Sequence, residues 1–175
     1  MSQQAMLQSG MIGEPIANTA TADALKTLYL ESLSLVERLH RRLLDVVKDE
    51  FERQGRSDLN AVQALLLFNI GDGELTAGEL KSRGYYQGSN VSYNLKKLVD
   101  LGFVSHRRSK VDRRTVRVAL TPMGHEVAGL VSSLYDRHVA SIEKVGGIGS
   151  NEFEQLNKAM QRLDRFWNDQ IMYRL

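Results

Sequence analysis

Cysteine is absent from the 175-residue chain, which excludes a disulfide framework, a thiolate zinc site, thiol redox sensing and a cysteine nucleophile. A reducing, cytoplasmic setting is therefore expected. Histidine is scarce: His40, His106, His125 and His138 are scattered along the sequence. His125 and His138 are too far apart to be neighbours three or four residues apart on one helix face, so they do not pair as metal ligands. No apolar run approaches the roughly 20 residues needed to cross a bilayer, and the N-terminus lacks the basic-then-apolar layout of a signal peptide. Enzyme motifs are missing too. His125-Glu126 has no second histidine, the GGIGS stretch (146–150) has no phosphate-loop lysine, and GDGE (71–74) has no carboxylate ladder for calcium. The expectation is a soluble protein with no catalytic residues, no cofactor or metal, and no membrane partner.

The chain is not uniform in charge. The formal net charge is +2, yet residues 81–117 hold ten Lys or Arg against only Asp100 and Asp112. That segment carries +8 and the remainder −6, an asymmetry suited to a polyanion-binding face on an otherwise acidic body. A basic face that is merely solvated is the alternative on charge alone.

Periodicity divides the sequence. Residues 1–20, rich in Gln, Ser, Met, Ala and Gly, show no sustained period and read as a tail. From Asp23, a candidate cap, Leu25, Leu28, Leu35, Val36, Leu39, Leu43, Val46, Val47 and Phe51 recur at helical spacing up to Gly55. Asp58 or Asn60 can cap a helix over 61–70 whose LLLF run implies burial. Thr76 and Glu79 have capping-box spacing, so a short helix is expected from 77, ending by Gly84. Ser89 can cap the next helix, in which Val91, Leu95 and Leu98 form the buried side, and Gly102 closes it. Strands follow over 103–107 and 115–120. Thr121-Pro122 starts a helix running to about 145, with Val127, Leu130, Val131, Leu134, His138 and Ile142 on one stripe. His138 reads there as a core histidine. Ser150 opens a last helix striped by Phe153, Leu156, Met160, Leu163, Trp167 and Ile171 at near coiled-coil intervals.

The expected fold class is mainly α (α+β): a winged helix-turn-helix over 57–121, with long helices over 21–56 and 122–175 forming a dimerisation region. The helix from 89 presents Ser89, Asn90, Ser92, Tyr93, Lys96 and Lys97 opposite its apolar side, a set able to bond base edges near the N-terminus and phosphates further along. Five basic residues, Arg107, Arg108, Lys110, Arg113 and Arg114, crowd the hairpin tip, where like charges call for a compensating anion. Asp112 is read as shaping that tip. An amphipathic surface helix with no nucleic-acid partner is the plainer alternative. The apolar stripes of the outer helices exceed what one small winged domain can cover, which points to a homodimer.

Leu98-x-x-x-Gly102-Phe103-Val104, then Asp112-Arg113-Arg114, then Leu120-Thr121-Pro122-x-Gly124 resemble the signature of MarR-type winged-helix regulators. The likeness spans roughly residues 23–172. It implies that residues 90–97 belong to a recognition helix and 108–114 to a wing. It also implies a homodimer on a pseudo-palindromic operator in double-stranded DNA, acting as a repressor, with a small-molecule effector altering DNA affinity. Tyr93-Asn94 and Tyr85-Tyr86 depart from the usual pattern of such proteins. Where the first long helix meets the second, near Val47, Phe51, Phe68 and Asn69, a filled core is the first reading and an effector cleft the alternative. The rival function is a winged-helix module that binds protein or RNA.

Overall fold

The computed structural model describes residues 16–82, 88–108 and 116–173. Its elements are α1 (Ile16–Arg53), α2 (Ala61–Ile70), β1 (Leu75–Thr76), α3 (Ala77–Ser82), α4 (Gly88–Asp100), β2 (Val104–Arg108), β3 (Val116–Leu120), α5 (Pro122–Ser141), a π-helical turn (Ile142–Gly146) and α6 (Ser150–Tyr173). The chain divides into two compact units, Met1–Val46 and Val47–Leu175. The mainly helical class expected from the sequence, with its small antiparallel sheet, is what the chain adopts.

The described part of the first unit is the larger part of α1. This helix starts earlier than expected: residues 16–20, assigned to the tail, are helical, and Asp23 lies inside the helix rather than at its cap. The alanines of the stretch from Ile16 to Ala24 favour helix, and neither Gly nor Pro interrupts the chain between Pro15 and Gly55. Leu25, Leu28, Leu30 and Leu39 on α1 are exposed. Ion pairs at helical spacing, Glu37 with Arg41 and Asp45 with Arg42, line its wet side.

The second unit builds the core. Asn60, not Asp58, caps α2: its side chain accepts from the Gln63 amide at 2.9 Å while the Gln63 side chain accepts from the Asn60 amide at 3.1 Å. Leu65, Leu66, Leu67 and Ile70 of α2 are buried, and α2 packs against α5, where Val127, Val131 and Leu134 are buried. The last turns of α1 add Val47 and Phe51 to this core. The sheet has the order β1-β3-β2 and is antiparallel throughout, with Leu75 opposite Val118 and His106 opposite Val118 on the other side. β1 was not expected. Two residues are too short for a strand period to show, and their partner lies some forty residues downstream.

α5 begins as the sequence dictates and ends differently. Thr121 caps it, accepting from the Gly124 amide at 3.3 Å while its hydroxyl donates to the Gly102 carbonyl at 2.7 Å. Near its end the α-helix widens into the π-turn, where Ser141 Oγ lies 3.0 Å from the Arg137 carbonyl and 3.2 Å from that of His138. His138 is exposed rather than a core residue, because burial along α5 stops at Leu134. α6 contributes no buried residue.

Candidate nucleic-acid interface

The supports of α4 come first, since they decide which way it faces. The capping box at the start of α3 is present in both directions: the Thr76 amide donates to Glu79 Oε2 at 2.6 Å and the Glu79 amide to Thr76 Oγ1 at 3.0 Å. α3 packs on α4, and α4 on β2. Val91, Leu95 and Leu98 are buried on the inner side of α4, which pins the helix in rotation. At its C-terminus Gly102 takes φ +81, and the amides of Gly102 and Phe103 close on the carbonyls of Val99 and Leu98.

The outer side of α4 carries Asn90, Ser92, Tyr93, Lys96 and Lys97, all exposed. Ser89 lies in the first turn of α4, with its side chain outside the described residues. The Asn94 amide donates to the Asn90 carbonyl at 2.9 Å, so this side chain is tied to its own helix. Lys97 Nζ sits 5.9 Å from the centre of the Tyr93 ring. The five described outward residues thus share one face without an acid among them until Asp100.

Of the wing, the strands are described and the tip is not. Arg107 pairs with Arg117 and Arg108 with Val116 in the ladder, while the side chains of Arg107 and Arg108 lie outside the described residues, as do Lys110, Asp112, Arg113 and Arg114 entirely. Arg117 reaches from β3 to the Glu74 carbonyl at 3.4 Å and so braces β1 against β3.

Sequence reading missed a second brace. Arg56 bonds Asp58 at 3.4 and 3.1 Å and lies over the Phe103 ring at 5.9 Å, tying the segment after α1 to the start of the hairpin. The hydrogen bond from Arg56 holds the Asp58 carboxyl below its usual range, and the same bond raises Arg56. Only the Arg56/Asp58 spacing was visible in the sequence; the aromatic ring under Arg56 is 47 residues away, beyond any local pattern.

The residues named for an effector cleft differ in burial. Val47 and Phe51 are tightly packed in the core, whereas Phe68 and Asn69 are half-buried. The Phe68 ring meets Tyr135 edge-on at 5.2 Å. Tyr135, whose phenol is pushed up by burial, borders a groove of about 370 Å³ together with His138, Ile142, Glu143 and Phe153. Phe51 borders another, of about 250 Å³, with Arg56 and Leu59. Among the described residues no three His, Asp or Glu side chains gather into a metal site, and no helix is long and apolar enough to cross a membrane.

Comparison with known proteins places this geometry. The sequence model described as MarR family matches residues 57–115, from the segment before α2 to the wing. A transcriptional activator of exopolysaccharide II synthesis from Rhizobium meliloti (strain 1021), ExpG, is 32% identical over 162 residues, covering 91% of this chain and 81% of the relative. Among solved structures, a mutant of MarR from E. coli complexed with operator DNA superposes with a TM-score of 0.60 at 20% identity, covering 74% of this chain and 91% of that one. BpsR from Bordetella bronchiseptica, whose DNA binding is regulated by 6-hydroxynicotinic acid, gives 0.61 at 18% identity, with coverage of 77% and 98%. These structural likenesses establish the fold.

Proposed function

The chain belongs to the MarR family of transcriptional regulators, and from that premise we propose that it binds a pseudo-palindromic operator in double-stranded DNA as a homodimer. The observation that carries this reading is α4. It is fixed in rotation by Val91, Leu95 and Leu98 and turns Asn90, Ser92, Tyr93, Lys96 and Lys97 outward beside the strands of the wing. Such a helix fits the major groove with its N-terminal residues on base edges and its lysines on phosphates. The wing tip, with Lys110, Arg113 and Arg114, adds backbone or minor-groove contacts, and Asp112 shapes it. Ser89, Arg107 and Arg108 complete the interface.

Homodimerisation is supported by the uncovered apolar side chains of α1 and α6: Leu25, Leu28 and Leu39 on the first, Leu156, Met160 and Phe166 on the second. Residues 21–56 and 122–175 are accordingly assigned to dimerisation and 57–121 to DNA binding, while residues 16–20 continue α1. For a small-molecule effector, Phe51 borders one open groove directly and Phe68 reaches another through Tyr135. The sign of control is where sequence and relative part: the resemblance implies repression, whereas the Rhizobium meliloti relative is an activator. Transcription in vitro from an operator-bearing promoter decides between them.

Titration of duplex DNA at several salt concentrations tests the whole reading. Affinity is expected to fall steeply, with about one unit of log-log slope per phosphate contact. A flat salt response would remove DNA as the partner.

A further inference from the structure

The inward stripe of α4 also says which outward residue leads. At about 100° per residue, the direction opposite the mean of Val91, Leu95 and Leu98 lies within roughly 15° of Tyr93. Asn90, Lys96 and Lys97 stand on the shoulders. Tyr93 is 61% exposed, so a large aromatic ring stands at the centre of the face over residues 90–97, which is otherwise polar and cationic; exposed Asp100 shares its direction two turns further on. Solubility alone gives no reason for the ring. Lys97, one turn on, places its ammonium 5.9 Å from the ring centre, within the range of a cation–π contact, which restrains the ring before any ligand arrives. Asn94 does not compete for that position, since its amide is held by the Asn90 carbonyl.

A ring so placed must meet something apolar when the groove closes on it. In the major groove the bases present donors and acceptors, and thymine alone adds an apolar group, the C5-methyl. Phosphates are better served by the flanking lysines. We propose that Tyr93 is a specificity-determining residue that reads a thymine in each half-site through its C5-methyl, with Lys97 holding the ring and taking the adjacent phosphate. This inference rests on α4 being the recognition helix. It adds the base and the chemical group that the helix selects.

The test uses the full chain and operator duplexes selected from a random pool. Each thymine is replaced singly by deoxyuridine, which removes the methyl and nothing else. The wild-type protein is expected to lose about fourfold in affinity at one thymine per half-site, the value of one buried methyl-sized group, with little change elsewhere. Tyr93→Phe keeps that penalty because the ring remains. Tyr93→Ala binds thymine and uracil duplexes alike while its melting temperature stays that of wild type, as an exposed position requires. Lys97→Gln lowers the salt slope by about one unit and shrinks the penalty. The proposal is overturned if wild-type protein tolerates uracil at every position while its binding stays steeply salt-dependent, or if Tyr93→Ala retains the penalty. Absence of salt-dependent binding to any duplex is a different result, one that overturns the DNA-binding reading along with this one.

Discussion

Glu50 shows how much can depend on one side chain. It is 4% exposed, and its carboxylate accepts from Arg137 Nη2 at 2.7 Å and from the Gln54 amide at 3.2 Å, with Arg53 Nη2 at 3.7 Å. The last turns of α1 are thereby joined to α5 by a largely buried carboxylate. The bonds from Gln54 and Arg137 hold its pKa below the ordinary 4.5, so the stabilisation is present above that value and is lost as pH falls through the lower folded value. Glu50→Gln keeps the shape but removes the charge, and it should cost about 1–3 kcal/mol at neutral pH. Urea unfolding at neutral and acid pH would test this: the gap between variant and wild type should close in acid, and a gap that persists there would mean the ionised pair is not its source. Gly124 is constrained for a different reason. A Cβ at that position would stand 2.2 Å from the Phe103 carbonyl, which already accepts the Thr121 amide at 3.1 Å. Gly124→Ala must push backbone apart, so a loss of about 2–4 kcal/mol is expected in thermal unfolding. A variant that melts with wild type would show that the hairpin and α5 do not approach so closely.

Elements turn such contacts into a surface. Because α4 is fixed by three buried side chains, changes on its outer face should alter DNA binding without altering stability. Lys96→Gln should lower the salt slope by about one unit and weaken all sequences alike, whereas Asn90→Ala should blur discrimination at one or two base pairs by about 1–3 kcal/mol. Competition binding against single-base operator variants separates the two patterns, and identical patterns would mean the assigned roles are wrong. Which elements could be read beforehand follows from the range of their causes. The Thr76/Glu79 box, the Thr121-Pro122 start and the stripe Val91, Leu95, Leu98 act within three or four residues, and each was legible in the sequence. The partnership of Glu50 with Arg137, the seat of Arg56 on Phe103 and the pairing of β1 with β3 join residues more than forty apart, so local spacing could not show them. Two expectations failed for a related reason. Asp23 had a cap's chemistry, but the alanines before it continued the helix; His138 lay on an apolar stripe that extends past the end of the core it was assumed to face.

At the scale of the whole molecule the question is what the outer helices are for. α6 has 24 residues and buries none of them within one chain, yet Leu156, Met160, Trp167 and Ile171 leave an apolar stripe in water, with exposed Phe166 beside it. Exposure on that scale is unfavourable by roughly 25 cal/mol for each Å² that a partner could cover. In the second unit, burial is concentrated in residues 47–134, so removing α6 should leave that core intact. A chain truncated before Ser150 is therefore expected to unfold cooperatively while sedimenting or scattering as a monomer, against about twice the 19.7 kDa chain mass for the full-length protein. Operator affinity should fall with it, since each half-site would then be bound without the other and the effective-concentration gain of a paired site would vanish. The milder Trp167→Glu, made on a half-exposed ring of the same stripe, should shift the monomer–dimer balance in the same direction without shortening the chain. If light scattering finds the truncated chain still dimeric, α6 is not the arm, and the apolar residues of α1 must hold the pair.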